Sequence, residues 1–179
     1  MKGVVLIDAN IRMGMIRIGQ YRVGSLDMKY HRTMWQCEGT VIFLGSAYIG
    51  SGTKLSISRG ATLTFGDIFS VTGGSAIICD YAISFGKNCL LSWDILIMDT
   101  DFHRIFNDKG VLINPSKSII IGNHVWIGCR NTILKGVSIP DNCVIAAGSK
   151  ITKSFNENNC IIGSCNTERI IKTGIKWDA

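Results

Sequence analysis

The sequence predicts an all-β parallel β-helix, and three observations carry that prediction. An isoleucine opens six successive hexads, at Ile121, Ile127, Ile133, Ile139, Ile145 and Ile151. The next position is often small, as at Gly122, Gly128 and Ala146. A second apolar series falls four residues after the first, at Val125, Val137 and Cys143. A strict six fits neither the 3.6-residue period of a helix nor the alternation of a plain strand. A six-residue repeat instead stacks one coil on the next and buries continuous columns of side chains. β-Branched isoleucine suits such a pleated, half-buried place, so all six are expected to be buried.

Taken in order, residues 1–40 depart most from the repeat and read as atypical N-terminal coils or a cap. Val4, Val5, Leu6 and Ile7 read as a short strand. Ile16 and Ile18, set among Gly14, Gly19 and Gly24, read as short strands and turns. The polar and aromatic stretch 28–36 reads as a loop or capping coil, because terminal repeats deviate. From Phe43 the sixes begin, with Ile49, Leu55 and Ala61 following. The Gly- and Thr-rich stretch 65–74 breaks the register and reads as a bulge or short loop. Ile77, Ile83, Cys89 and Ile95 resume it. Six does not divide the interval from Ile95 to Ile121, so a segment of about 98–118 must leave the helix. Loops ejected from a regular solenoid are where function tends to sit. Residues 159–163 read as a last partial coil, and 168–172 as a short helical tail with Ile170 and Ile171 inward. The organisation is one domain over 1–179, with the hexapeptide helix from 41 to 163 and a tail from 164 to 179.

Composition bounds the function. Hydrophobic residues make 46% of the chain and aromatic ones only 8%, which suits stacked aliphatics better than a globule built on large rings. The net charge of +6 invites an anionic partner. Lys and Arg are scattered, however, and no basic run or nucleic-acid motif appears, so nucleic acid is not expected. A few basic residues near the end of the repeat would suit a phosphorylated ligand. Seven cysteines lie at 37, 79, 89, 129, 143, 160 and 165, with no Cys-x-x-Cys or zinc spacing. They read as free thiols of a reduced, cytoplasmic chain. Cys89 and Cys143 fall in apolar slots as small fillers. The apolar run after Lys2 is too short for a signal peptide, and no stretch reaches transmembrane length.

The repeat, with Val125, Trp126, Ile127 and Gly128 in one motif and 146–153 reading Ala-Ala-Gly-Ser-Lys-Ile-Thr-Lys, resembles the hexapeptide-repeat acyltransferases. It is most similar to their galactoside, maltose and surface-polysaccharide O-acetyltransferase branch. The resemblance is dense from about 99 to 163, looser from 41 to 98 and faint before that. It implies a left-handed β-helix with three hexads per coil, a homotrimer, and acetyl-CoA as co-substrate.

Beside that resemblance stand the residues. Acyl transfer to an alcohol needs a base for the hydroxyl proton, and imidazole has the matching basicity. The family carries a histidine about two dozen residues before its tryptophan, and His103 lies 23 before Trp126. Asp99 and Asp101 flank it, and either could accept the other ring N–H and fix the tautomer. Asp94 falls where the family places an acceptor-contacting polar residue. The resemblance sets Trp126 in the groove for the pantetheine arm and Gly128 where close approach is needed. It makes the Cys129 backbone N–H an oxyanion donor near the thioester carbonyl. The Cys129 thiol also offers an acyl-cysteine intermediate, although direct transfer accounts for the loop histidine without one. Ala147, Gly148, Thr152 and Lys153 match the coenzyme edge, and Arg169 and Lys172 the basic pair near the 3′-phosphate. The family's Gly-x-Pro-Ala stands here as Gly163, Ser164, Cys165 and Asn166, and its Pro-Pro is missing around Ser154 to Glu157.

His31 and His124 read as surface and corner residues. A three-histidine zinc site, as in γ-type carbonic anhydrases, needs two of the three close in sequence, and the nearest pair here is 21 apart. No metal is expected. The function implied is acetyl-CoA-dependent O-acetylation of a sugar hydroxyl in bacterial surface polysaccharide synthesis. N-acetylation of an amino-sugar nucleotide or a small xenobiotic, and an idle trimeric scaffold, are the competing readings. His103 together with Trp126 and Lys153 argues against the scaffold.

Overall fold

The hexads become coils of three strands in the computed structural model, which describes residues 3–20, 24, 26–27, 29–164 and 167–178. Lys2, Met28, Cys165 and Asn166 lie outside the described residues. The first coil is β1 (Val4–Ile7), β2 (Ile16–Ile18) and β3 (Met34–Cys37). The second is β4 (Thr40–Phe43), β5 (Ala47–Ile49) and β6 (Lys54–Ile57). The third is β7 (Thr62–Phe65), β8 (Phe69–Gly73) and β9 (Ala76–Cys79). The fourth is β10 (Ala82–Phe85), β11 (Leu90–Trp93) and β12 (Leu96–Met98). The fifth is β13 (Ile119–Ile121), β14 (Trp126–Ile127) and β15 (Thr132–Leu134). The sixth is β16 (Ser138–Ile139), β17 (Val144–Ile145) and β18 (Lys150–Ile151). A final pair, β19 (Ile161–Ser164) and β20 (Glu168–Lys172), closes the chain.

Each strand pairs in parallel with its equivalent one coil away, which builds three sheets. The first runs β1-β4-β7-β10-β13-β16 and the third β3-β6-β9-β12-β15-β18. The second runs β2-β5-β8-β11-β14-β17 and ends on β19 and β20. The result is a left-handed parallel β-helix, triangular in section, with the core down its axis. Ile121, Ile127, Ile133, Ile139, Ile145 and Ile151 are all buried, as are Val125, Val137 and Cys143. A fully buried isoleucine contributes about 1.5–3 kcal/mol relative to an exposed one, so these columns dominate the stability of the last coils.

The coils are not all of one length. Ile121 pairs with Ile139, Ile127 with Ile145 and Ile133 with Ile151, so each of these steps is three hexads. Phe43 pairs with Phe65 and Phe65 with Phe85, which are longer steps that six does not divide. The longer coils carry four-residue strands that bury alternate side chains, such as Val41 with Phe43 and Leu63 with Phe65. The stretch 65–74 is therefore no loop. A tight corner at 66–68 leads straight into β8. Phe43, Phe65 and Phe85 stack at centroid spacings of 5.2 and 5.7 Å, and Phe69 tilts against Phe65 at 4.6 Å.

Two further expectations change. The stretch 28–36 ends in β3, which lies on β6 with Trp35 opposite Leu55. The tail segment Glu168–Lys172 is a strand and not a helix: it pairs antiparallel with β19. Without it, β19 would present an unpaired edge. Ile170 packs against the core, whereas Ile171 is 53% exposed.

Candidate active site

The chain leaves the helix after β12 and returns at β13, so the excursion stands at the corner between the third and first sheets. It is an ordered arm. The Ile113 N–H donates to Ile105 O at 2.9 Å, and Phe106 bridges Leu112 antiparallel. The side-chain oxygen of Asn107 accepts the N–H groups of Lys109 and Val111 and closes the tip. His103 sits at the root of this arm, exposed, beside a cavity of about 390 Å³ also lined by Asp80, Thr100, Asn114 and Ser116. Its ring has no hydrogen-bond partner among the described residues.

Neither flanking carboxylate is where the sequence placed it. Asp99 is fully buried and accepts the backbone N–H groups of Asp80, Tyr81 and Ala82 at 2.7–2.9 Å. It is committed to holding the neighbouring coil and cannot serve His103. Asp101 Oδ2 accepts from the Lys135 ammonium and, at 2.9 Å, from the Asn114 amide. That ammonium and amide hold the Asp101 carboxyl below the usual carboxylate range. In one chain, Asp101 braces the arm and does not orient the His103 ring.

Several of the residues expected along a coenzyme edge lie at another corner. Trp126 opens β14 on the outer face of the second sheet, 39% exposed, and its indole N–H donates to Ser92 Oγ at 3.3 Å. The corner from the second to the third sheet stacks three of the predicted residues. Arg130 N–H donates to Trp93 O at 3.0 Å, and Gly148 N–H to Cys129 O at 2.9 Å. Asp94, Cys129 and Gly148 thus climb one corner, one coil apart. Asp94 and Arg130 hold left-handed backbones there, at φ 56° and 57°. Gly128 meets its close-packing expectation, since a Cβ on it would lie 2.8 Å from Ala147 N. Ala147 and Gly148 are exposed and small, and the Cys129 N–H has no acceptor among the described residues.

Below that corner a cavity of about 340 Å³ is lined by Lys150, Lys153, Ser164, Thr167 and Glu168. Glu168 was not foreseen from the sequence. Its carboxylate accepts the Thr152 hydroxyl and, at 3.1 Å, the Lys153 N–H. Burial pushes Glu168 up, but the Thr152 and Lys153 hydrogen bonds and the Lys153 charge outweigh it, and the carboxyl stays below its usual range. The Lys153 ammonium lies over the Phe155 ring, 5.8 Å from its centroid. Arg169 pairs opposite Gly163 and Lys172 opposite Ile161, with a register shift between Ile161 and Ile162. By strict alternation, residues three apart would face opposite ways. The irregularity returns Arg169 and Lys172 to one face.

His124 occupies a corner as expected, but it is covered. Its ring stacks on Trp177 at 3.9 Å and 8°, and Trp177 donates its indole N–H to His124 O. No three His, Cys, Asp or Glu side chains among the described residues group so as to hold a metal. None of the predicted coenzyme residues lines the His103 cavity. Cys129, Ala147 and Gly148 stand at the corner before the third sheet, whereas Thr152 and Lys153 follow β18 at the arm's own corner, one coil beyond Lys135.

Fold and repeat together define a left-handed β-helix of the hexapeptide-repeat class, and residues 118–153 match the family model described as bacterial transferase hexapeptide (six repeats). Over those residues the chain is similar to that superfamily. It is 40% identical over 87 residues to the polysialic acid O-acetyltransferase of Neisseria meningitidis, a match covering 48% of this chain and 37% of that one. It is 35% identical over 103 residues to the galactoside O-acetyltransferase of Escherichia coli K12, covering 56% and 50%. The chain therefore spans half or less of the length of these two curated relatives. Among solved structures, the polySia-specific acetyltransferase NeuO superposes with a TM-score of 0.70 at 21% identity, over 99% of this chain and 86% of that one. The galactoside acetyltransferase in complex with coenzyme A gives 0.60 at 25% identity, over 78% and 72%.

Proposed function

We propose that the protein is an acetyl-CoA-dependent O-acetyltransferase that acts on a sugar hydroxyl in bacterial surface polysaccharide synthesis, and that it works as a homotrimer. One observation carries the reading: an exposed imidazole, with no hydrogen-bond partner among the described residues, at the root of the only long arm of the described helix. The relatives' names supply the substrate class, since they act on polysialic acid and on galactosides.

The residues fit the co-substrate. The small Ala147 and Gly148 leave the corner open beside Trp126, and the unpaired Cys129 N–H can donate to a carbonyl oxygen. Lys153, Arg169 and Lys172 supply the cations that phosphates require. The thioester supplies the activated acyl group. His103 takes the proton of the acceptor hydroxyl as the oxygen attacks, since an un-ionised alcohol is a poor nucleophile. The Cys129 N–H donates a hydrogen bond to the charge that develops on the carbonyl oxygen. Asp94, on the same corner, is available to an acceptor hydroxyl. His103 then returns its proton to the departing thiolate. Transfer is direct, and the Cys129 thiol takes no part. The six described cysteines are free thiols, which suits the reducing cytoplasm where a thioester donor is made.

None of the expected coenzyme residues lines the His103 cavity, which supports a shared site. In the trimer, an arm from one copy lies over the edge of another, and His103 meets the acyl carbon there. The test is coenzyme A release across a panel of sugars, with and without His103. Release with a sugar acceptor, abolished in His103→Ala, supports the reading. Sugar-independent release, or release untouched by the substitution, overturns it.

A further inference from the structure

We infer that Asn114 is the positioning residue for His103, holding closed a strained turn that the histidine ends. The inference rests on the reading of His103 as the base.

His103 N–H donates to Asp101 O at 2.7 Å, which closes a three-residue turn around Phe102. Phe102 sits at φ 60°, a backbone that a bulky L-residue rarely adopts. Tight turns of this hand are strained. Phe102 cannot offset that by burial, since it is 60% exposed. Such a turn persists only where its surroundings over-determine it.

Asn114 does this from the returning limb of the arm. Its amide nitrogen donates to Asp101 Oδ2 at 2.9 Å and to His103 O at 2.8 Å. One amide group therefore bonds both ends of the turn. Its amide oxygen accepts the Ile105 N–H at 2.6 Å, two residues beyond His103. The Lys135 ammonium, from the next coil, bonds the Asn114 carbonyl oxygen at 2.9 Å and the Asp101 carboxylate. The clamp is thereby anchored to the rigid helix. The His103 ring has no hydrogen bond among the described residues, so its backbone is what these bonds set. Asparagine suits the role because one planar group supplies two donors and an acceptor. Aspartate keeps the acceptor and loses both donors.

The experiment compares Asn114→Ala and Asn114→Asp in chains that keep His103 and in chains that carry His103→Ala. With His103 present, kcat is expected to fall by about 10–10²-fold, the scale of a misplaced catalytic group. The dissociation constant for acetyl-CoA should not move, because none of the proposed coenzyme residues lines the cavity at the arm. In the His103→Ala background neither Asn114 substitution should lower kcat further. The exchange variant Asp101→Asn with Asn114→Asp restores an amide–carboxylate pair beside Lys135, and should recover part of the activity lost in Asn114→Asp alone. Wild-type kcat in both single variants overturns the inference. So does an equal fold-loss in the two backgrounds, which would make Asn114 act independently of the histidine. Full turnover in His103→Ala alone overturns the base itself, and is read before any Asn114 variant is made.

Discussion

At the scale of single residues, two side chains carry opposite halves of the proposed reaction and should fail in opposite ways. In the proposed reaction His103 serves the acceptor hydroxyl, and its cavity is lined by none of the proposed coenzyme residues. His103→Ala is expected to lose about 10²–10⁴-fold in kcat, the usual worth of a general base, with acetyl-CoA binding unchanged. His103→Asn should be nearly as poor, because it keeps polarity but cannot take the proton. Asp101 gives the arm a brace that depends on pH. Its carboxyl is held below the usual range by Lys135 and Asn114, so its brace is present above the ordinary carboxylate range and is lost only as pH drops through the lowered value. Lys153 should fail by binding. Lys153→Ala is expected to weaken coenzyme A more than a dephosphorylated analogue, read by titration calorimetry. Equal losses would remove Lys153 from the phosphates. The substitution leaves the Lys153 N–H bond to Glu168 in place, so the β20 flap should stay closed.

At the scale of strands and coils, the isoleucine columns are legible because hexad and strand coincide where a coil is three hexads long. Ile145 is enclosed by Ile127 below and Ile162 above. Ile145→Ala leaves a cavity in that column and is expected to cost about 2–5 kcal/mol, measured by chemical denaturation. A loss under about 1 kcal/mol, well below that range, would mean that the column can collapse to fill it. Earlier coils are harder to read. Where a coil runs longer than three hexads, buried positions also alternate by two along a strand, and the sixes that hold from Phe43 to Ala61 and from Ile77 to Ile95 lose register between the two runs even though the stacking continues. The Gly66 corner therefore looks like an interruption, when it is one more turn before β8. The tail is illegible for another reason. Adjacent Ile170 and Ile171 give no period, and what makes Glu168–Lys172 a strand is the free edge of β19, a partner that local sequence cannot show. Similarly, His103 stands out by its chemistry. Asn114 does not, because its partners Asp101, His103 and Ile105 reach it only when the arm folds. Asp99 and Asp101 look alike in sequence and are separated by burial alone.

At the scale of the whole molecule, the arm springs from the corner after the third sheet, whereas Cys129, Ala147 and Gly148 stand at the corner before it. The arm also exposes Phe102, Ile105, Phe106, Val111 and Ile113, each more than half accessible. So much apolar surface on one short arm is costly in water and suits an interface. A closed three-fold ring lets every arm meet a neighbour's edge through one repeated heterologous contact. Sedimentation at micromolar concentration is expected to show three times the mass of one chain, and a monomer would count decisively against the arrangement. A sharper measurement tests whether sites are shared. His103→Ala removes the base but leaves the edge intact. Ala147→Trp fills the open edge but leaves the base intact. Each trimer alone should be inactive. When the two chains are co-expressed and assemble at random, a site is whole only where an intact arm from one meets an intact edge from the other, which holds for roughly a quarter of the sites. Activity should therefore reappear in the mixture at about that fraction of wild type. If both groups came from the same chain, every site would carry one defect or the other, and mixing would restore nothing.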